Sequence, residues 1–155
     1  MSILRTFVFM VYFFGYMLTH LSALRKGEKA LAAGDWPAVD AVTHRHVPRW
    51  CGTLLRLAGV KVTVTGRENI PAGRACVFVA NHRSYFDIPV LLTSLDAPHG
   101  LLAKVEIRRL PLVPRWMALL GCVFVDRDDL HASMKALADA TNAVASGRSF
   151  TIFPE

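Results

Sequence analysis

The sequence predicts an α/β fold, with a mostly parallel or mixed sheet flanked by helices and preceded by an N-terminal membrane-associated helical segment. Two observations lead to this fold class. Short apolar runs alternate along the chain with segments of helical periodicity, which is typical of parallel sheets. The excess of apolar residues is concentrated in the first 24 residues, ahead of that alternation. We therefore expect membrane-associated helices in residues 1–58 and an α/β domain in residues 59–155.

The N-terminal segment Ile3–Leu24 is apolar, and no full charge falls between Arg5 and His20. As a helix it would span about 33 Å at 1.5 Å per residue, enough to cross a hydrocarbon core. A signal peptide is one alternative, although no small-x-small cleavage pattern follows, and a helix lying in the interface is another. We predict membrane association without choosing between spanning and lying on the bilayer. Basic residues follow at once and place the bulk of the protein on the cytoplasmic side: Arg25, Lys26 and Lys29.

The segment Trp36–Ala58 has apolar residues at roughly helical spacing with arginines between them. Two interpretations stay open: an interfacial amphipathic helix with Trp36 and Trp50 at headgroup depth, or a helix packed on the sheet. Pro48 is expected to kink it. The histidines of this segment lack further ligands at a suitable spacing, so we interpret them as surface residues rather than a metal site: His44 and His46.

The first strands follow this helix. Val60–Thr65 alternates strictly in polarity, as in a half-exposed strand, and Ala75–Ala80 has the length and composition of a fully buried one. Ile88–Leu95 predicts a short helix with Pro89 in its first turn, where a missing N–H is harmless.

Three further apolar runs predict the remaining strands: Leu101–Lys104, Cys122–Val125 and Ser149–Phe153. Between the first two, Ile107–Leu120 is helical but broken by Pro111 and Pro114. Between the last two, Asp128 or Asp129 caps a helix that runs through Met134, Leu137, Thr141 and Val144 to Gly147, a residue suited to the position after a helix end.

The composition narrows the classes of partner. Hydrophobic residues make up 53% of the 155 residues and charged residues 19%, and the formal charge is +6 with a pI near 9.7. Such a surplus suits an anionic membrane surface, a phosphorylated substrate or nucleic acid. Neither RNP-like aromatic strands nor a basic recognition helix is visible, so we expect no nucleic-acid partner. The three cysteines are odd in number and far apart, which favours buried thiols in a reducing compartment over disulfides or a metal site.

A polar cluster, residues 81–87 (NHRSYFD), directly follows the apolar run 75–80. In α/β folds ligands bind in the crevice beyond the carboxyl ends of the strands. His82 in that crevice, with Asp87 close enough to hold it, could take a proton from a hydroxyl. Each residue also has a plainer interpretation. Asp87 could cap the following helix, which is worth about 1 kcal/mol, and His82 could be a loop histidine.

Two more polar clusters follow later strands, Asp126-Arg127 and Pro154-Glu155. If the sheet is parallel there, all three clusters converge on one edge, where a base, a cation and a carboxylate would share a cleft. Arg127 taken singly could be a surface partner of Asp126 or Asp128. The order and placement of the three clusters together predict a functional site.

These clusters resemble three ordered motifs of the 1-acylglycerol-3-phosphate acyltransferases of the glycerolipid acyltransferase superfamily. Asn81, His82 and Asp87 match an Asn-His-x4-Asp motif; Gly121, Phe124 and Arg127 match Gly-x-x-Phe-x-x-Arg; Phe153, Pro154 and Glu155 match the start of Phe-Pro-Glu-Gly. Residues 66–71 and Lys104-x-Glu106 also fit the spacers, so the resemblance covers about residues 55–155. The ordered set is specific, whereas His-x4-Asp alone would be weak.

The resemblance implies transfer of a fatty acyl group from acyl-CoA or acyl-carrier protein to the free hydroxyl of lysophosphatidic acid, giving phosphatidic acid, with no cofactor or metal. His82 would be the general base and Asp87 would orient it and stabilise the imidazolium. Arg127 would hold the acceptor phosphate with Lys104 as a second cation, and Glu155 would help to bind the acceptor. Membrane lipid is a further expected partner, and a bacterial-type inner membrane the expected location.

Three alternatives stay open: the same chemistry on another lyso-lipid, an inactive lipid-binding fragment, and a hydrolase using Ser84. The last is poor, because no Gly-x-Ser-x-Gly elbow is present. The family's third motif continues past the position of Glu155, so we expect the chain to be the front portion of a longer protein. On that expectation a sheet edge is exposed and the piece alone has poor activity.

Overall fold

The structure, a computed structural model, describes residues 3–95, 99–126 and 129–154. The chain forms two compact units, Met1–Arg67 with Arg83–Asp96 and Glu68–His82 with Ala97–Glu155. The first unit is helical and the second contains the sheet. The helices are α1 (Ile3–Thr19), α2 (Leu21–Ala32), α3 (Trp36–Ala58), α4 (Asp87–Ser94), α5 (Val113–Leu119) and α6 (Leu130–Ala145); the strands are β1 (Val77–Val79), β2 (Gly100–Lys104), β3 (Val123–Val125) and β4 (Phe150–Ile152).

Helix α3 is the centre of the helical unit, and α1, α2 and α4 pack against it. Asp35 starts it by accepting the Ala38 N–H at 3.1 Å, and Gly59 ends it with a positive φ of 72°. Its predicted bounds are confirmed, and the helix continues through Pro48. Its apolar face is buried among helices, so it is not free to lie in a membrane interface: Val39, Val42, Val47, Cys51, Leu54 and Leu55.

The half-buried ring of Trp50 packs within this unit. It packs against the ring of Phe13 with centroids 4.8 Å apart, and its indole N–H donates to the carbonyl of Phe13 at 3.3 Å. Trp50 is thus partly covered by α1, and its place at headgroup depth, one of the two open interpretations, stays a prediction.

The N-terminal segment is two helices rather than the single one predicted, with a bend of 57° between α1 and α2. The carbonyl of Tyr16 accepts the backbone N–H of His20 at 3.1 Å, the Thr19 hydroxyl at 3.0 Å and the His20 Nδ1 at 2.8 Å. Side chains that bond to nearby carbonyls in this way compete with the helix and bend it. Among the described residues, no single helix has both the length and the apolarity to cross a bilayer, although the bent pair has them jointly.

His46 is half-buried where α3 meets the bend, which corrects its predicted surface position. Its ring lies 5.0 Å from that of His20, and its backbone carbonyl accepts the Tyr16 hydroxyl at 3.2 Å. Burial lowers the pKa of His46 below its ordinary 6.5, and the nearby charges of His20, Arg45 and Arg49 lower it further. The folded protein therefore favours the neutral imidazole.

We expect the free energy of unfolding to fall as the pH drops below about 6.5, because the unfolded chain then takes up a proton that folded His46 resists. Above that pH the contribution is fully present. Urea denaturation at a series of pH values from 8 to 5 measures it. His46→Gln should flatten the dependence, whereas His44→Gln, at an exposed position on the same helix, should leave it unchanged. An unaltered dependence in His46→Gln would contradict the assignment.

The sheet has the strand order β1-β4-β2-β3, and every described pairing is parallel. Phe78 is paired with Thr151, Leu101 also with Thr151, and Lys104 with Val125. Helix α6 carries the chain from edge strand β3 back to β4 in the middle of the sheet and packs against β3, β2 and β4. The predicted α/β class with a parallel, helix-flanked sheet is confirmed.

Two strand predictions need correction. Val60–Thr65 forms no strand: residues 61–65 are exposed, with Val62 at 40% and Val64 at 42%. Alternating polarity shows that a segment has one polar and one apolar side, but it does not show that a partner strand exists. The run Ala75–Ala80 contributes only the short strand β1, which lies at an edge of the described sheet and leaves Val79 67% exposed rather than buried.

The predicted helical segment Ile107–Leu120 is interrupted at Pro111, as expected, but not at Pro114. Val105–Arg109 is one 3₁₀ stretch, and α5 begins at Val113 with Pro114 in its first turn, so Pro114 starts a helix rather than breaking one. Asp129 caps α6 by accepting the Ala132 N–H at 3.1 Å. Asp128, the alternative cap, lies outside the described residues.

All three cysteines have free thiols, and Cys51 is buried in α3. Burial raises the pKa of the Cys51 thiol to about 12. At pH 8 only about one molecule in 10⁴ would carry the reactive thiolate there. We expect iodoacetamide to modify Cys51 in urea but not in native buffer, as measured by peptide mass spectrometry. Modification of native Cys51 as fast as of half-buried Cys76 would contradict this.

Candidate active site at the carboxyl edge of the sheet

The parallel sheet brings the ends of four strands to one edge, including the three whose convergence the sequence predicted. Because all described pairings are parallel, the carboxyl ends of β1, β4, β2 and β3 point the same way. His82 follows β1, Pro154 follows β4, Lys104 ends β2 and Asp126 follows β3. Neighbouring strands lie about 4.8 Å apart. Polar residues from distant parts of the sequence therefore meet within the width of a small sheet.

His82 lies where the pairing of β1 with β4 ends. The Ala80 N–H donates to the carbonyl of Ile152 at 3.2 Å, which extends the pairing one residue beyond β1. The imidazole then packs against the ring of Phe153, with centroids 4.5 Å apart and planes tilted by 34°. Phe153 is buried and His82 is exposed. The first and third motifs are thus joined by a ring contact that leaves the imidazole accessible to a substrate.

Asp87 is the first residue of α4, in the helical unit. Its Oδ2 accepts the backbone N–H of Arg83 at 2.7 Å and of Ser84 at 2.8 Å, and its own N–H donates to the Ser84 carbonyl at 3.0 Å. Asp87 is therefore not the side-chain cap of α4 that the plainer interpretation assumed. Its carboxylate instead organises the loop that leads back to His82, and it lies in the first turn of a helix, where the macrodipole favours an anion.

His82 and Asp87 belong to different compact units, and their pairing stays a prediction. Arg127 and Glu155, the predicted cation and carboxylate of the acceptor site, lie outside the described residues. Lys104 is described and exposed at the end of β2. The sheet edge thus carries His82 and Lys104, while the chain positions next to Asp126 and Pro154 are those of Arg127 and Glu155.

A cavity of about 380 Å³ opens beside the end of β3, between that strand, the 3₁₀ stretch and α6. The guanidinium carbon of Arg108 lies 4.8 Å from the centre of the Phe124 ring, a cation–π contact made by a residue of the second motif. Lys135, Asp126 and Asp139 also line the cavity. Neither Arg108 nor Lys135 was among the predicted site residues.

Residues 61–155 match the sequence profile of the Acyltransferase family. The chain belongs to this family. The resemblance inferred from the three motifs is thereby confirmed. Over 101 residues this acyltransferase chain is 35% identical to the 1-acyl-sn-glycerol-3-phosphate acyltransferase of Borreliella burgdorferi, covering 65% of the chain and 40% of that protein. Over 118 residues it is 30% identical to a probable 1-acyl-sn-glycerol-3-phosphate acyltransferase of Mycoplasma pneumoniae, covering 74% and 44%.

The acyltransferase chain thus spans about two-fifths of the length of these curated relatives. A crystal structure of the 1-acyl-sn-glycerophosphate (LPA) acyltransferase from Thermotoga maritima shares the fold with a TM-score of 0.66. The match covers 97% of this chain and 62% of that one at 24% identity. The shared fold extends over the helical unit as well as the sheet.

Proposed function

We propose that the protein to which this chain belongs transfers a fatty acyl group from acyl-CoA or acyl-carrier protein to the free hydroxyl of 1-acylglycerol 3-phosphate. The product is phosphatidic acid, a precursor in phospholipid biosynthesis. The observation that carries the proposal is the contact of His82, from the first motif, with Phe153, from the third, at the edge of a parallel sheet where β3, which carries Phe124 of the second motif, also ends. The names of the relatives from Borreliella burgdorferi and Mycoplasma pneumoniae support the choice of acceptor.

In the proposed reaction His82 takes the proton from the acceptor hydroxyl as its oxygen attacks the thioester carbonyl. The new ester C–O bond forms, the C–S bond breaks, and the imidazolium returns the proton to the departing thiolate. Asp87 orients His82 and stabilises the imidazolium. No covalent enzyme intermediate is needed, because the lipid hydroxyl is itself the nucleophile.

We assign the acceptor phosphate to two cations, one of which, Lys104, lies at the same edge. Arg127 would hold it in bidentate fashion, Lys104 is a second cation, and Glu155 contributes to acceptor binding. The exposure of Lys104 at the end of β2 is compatible with that role, because a phosphate must reach the side chain from solvent or from the lipid surface.

We also propose that α1 attaches the protein to the membrane. Its outer side is apolar and open, while its one charge, Arg5, donates to the carbonyl of Leu57 near the end of α3. The proposed location is a bacterial-type inner membrane with the catalytic part on the cytoplasmic side, and the basic residues that follow α1 support that side. The exposed apolar residues of α1 recur at helical spacing: Ile3, Leu4, Phe7, Val8, Val11 and Leu18.

A transfer assay on the purified full-length protein tests the function. Lysophosphatidic acid should be acylated, and lysophosphatidylcholine or lysophosphatidylethanolamine should compete weakly, because their headgroups screen the phosphate. Parallel assays with acyl-CoA and acyl-carrier protein identify the donor. Loss of transfer in Asp87→Asn would remove the alternative of an inactive lipid-binding module. Equal use of all three acceptors would refute the lysophosphatidic acid assignment and favour another lyso-lipid.

Co-sedimentation with vesicles tests the attachment separately. The full-length protein should pellet with vesicles that contain phosphatidylglycerol. Phe7→Asp, at a position that is 64% exposed on α1, should reduce binding. Unchanged binding in this variant would exclude α1 as the membrane contact.

A further inference from the structure

One aromatic side chain links the loop that carries Asp87 to helix α1. The ring of Phe86 lies edge-on to the ring of Phe9, with centroids 6.0 Å apart and planes at 82°. Phe9 in turn stacks on Phe13 at 6.3 Å, and Phe13 packs against Trp50 of α3 at 4.8 Å. A continuous row of rings therefore runs from α3 through α1 to the residue next to Asp87.

The loop itself is held mainly by its own short hydrogen bonds. Asp87 accepts two N–H groups, and the Phe86 N–H donates to the Ser84 hydroxyl at 3.2 Å. The side chains at positions 81–85 are all exposed, and Tyr85 is 94% exposed. Phe86 is half-buried and is the first side chain of this segment to turn inward. Its contact with Phe9 is thus an attachment of the loop to α1.

Phe9 has the matching position on α1. Residues 3–8, 10 and 11 are all exposed, whereas Phe9 is half-buried. The side of α1 that faces away from Phe86 is apolar and open: Leu4, Phe7, Val8 and Val11. A helix with this pattern has one free face that fits a lipid surface and one ring directed at the loop. Movement of α1 on docking would reach the loop through the Phe9–Phe86 pair.

We propose that Phe86 is a positioning residue that couples the seating of α1 on a lipid surface to the geometry of loop 83–87. The proposal rests on the proposed function for the role of Asp87 and for the attachment of α1 to the membrane. When α1 is held by lipid, Phe9 is held too, and the loop is ordered with the carboxylate in place. When α1 is not held by lipid, the Phe9–Phe86 contact fixes the loop less firmly and the loop samples more conformations.

Amide hydrogen exchange of peptides covering 83–95 tests this in the full-length protein, with and without vesicles of equal parts phosphatidylglycerol and phosphatidylcholine. In the parent protein vesicles should slow exchange of the loop roughly two- to tenfold, the range that an aromatic pair provides. Phe86→Ala should abolish this slowing. Phe9→Ala should do the same, and the double variant should add nothing further, because both changes remove one contact.

Two variants distinguish coupling from folding and from docking. Phe86→Leu keeps an apolar contact and should retain part of the slowing. Phe7→Ala lies on the open face of α1 and should weaken vesicle binding, yet keep the full slowing at saturating vesicle concentration. If Phe86→Ala speeds exchange by the same factor with and without vesicles, the residue is merely structural and the proposal is overturned.

This measurement is independent of catalysis, so the two proposals can fail separately. Absence of acyl transfer with intact vesicle-dependent slowing would refute the function and leave the coupling standing. Vesicle binding by co-sedimentation without any slowing in the parent protein would refute the coupling alone. In the active enzyme, the ratio of kcat on vesicle-borne lysophosphatidic acid to kcat on a short-chain monomeric analogue should fall in Phe86→Ala and recover in Phe86→Leu.

Discussion

His82→Ala in the full-length protein should lower kcat for acyl transfer about 10²- to 10⁴-fold, the usual contribution of a positioned general base. KM for lysophosphatidic acid should change little, because the imidazole is assigned to proton transfer rather than to holding the phosphate. The measurement is a steady-state assay with saturating acyl donor. His131→Ala, at an exposed position on α6, is the matched control and should retain parental kcat.

The environment of His82 allows a loss of activity in this variant to be separated from a loss of folding. The imidazole is exposed and packs on one face against Phe153, so its removal opens no internal cavity and should leave the fold intact. An equal free energy of unfolding in the parent and in His82→Ala would show that a loss of kcat is chemical. Nearly full activity in this variant would exclude His82 as the base and would leave the proposed mechanism without one.

The strands of the sheet could be predicted where apolar runs are short and bounded by turn residues. The ends of β2, β3 and β4 lie within one residue of the predicted ends, because each apolar run is only long enough for one short strand. The strand predicted at Val60–Thr65 does not form, because the segment has no partner strand. Residues 61–65 stay exposed, in the unit that contains the helices. Pairing is a long-range property that periodicity cannot report.

The buried face of α6 also could not be predicted from the sequence. The helix was predicted through Met134 and Leu137, yet these are 63% and 56% exposed, while Ala136 and Ala140 are buried. Small side chains allow the helix to lie close to the sheet, and the larger apolar residues are left outside. Hydrophobicity alone would bury Met134 and Leu137 ahead of the two alanines. The close approach of the helix to the sheet therefore determines which side chains of α6 are buried.

The parallel sheet places three strand ends on one edge as expected. The roles of the motif residues stay predictions. The order β1-β4-β2-β3 could not be foreseen, since it depends on β4 inserting next to β1. That insertion brings Phe153 to His82. The contact between Phe86 and Phe9 likewise depends on how α1 packs, which the motif pattern does not encode.

The largest expected loss of stability comes from Phe150→Ala. Phe150 is 1% exposed in the central strand β4, and its ring lies against Gly100 of β2, where an added Cβ would come within 2.7 Å of it. Truncating a fully buried phenylalanine costs about 3–5 kcal/mol, since apolar contacts are lost and a cavity is left. Urea denaturation followed by circular dichroism measures the change. Leu137→Ala, at an exposed position, should stay within about 0.5 kcal/mol of the parent.

The same contact can be tested from the other side with Gly100→Ala. The new methyl group would lie 2.5 Å from the carbonyl oxygen of Gly121 as well as against the Phe150 ring, so backbone must shift, and overpacking of this kind costs about 1–3 kcal/mol. In the Phe150→Ala background Gly100→Ala should still lower stability, because the clash with the Gly121 carbonyl remains. No further loss from Gly100→Ala in that background would show that the ring alone excludes a side chain at Gly100. A loss below about 1 kcal/mol in Phe150→Ala would mean that β4 is not the centre of the core.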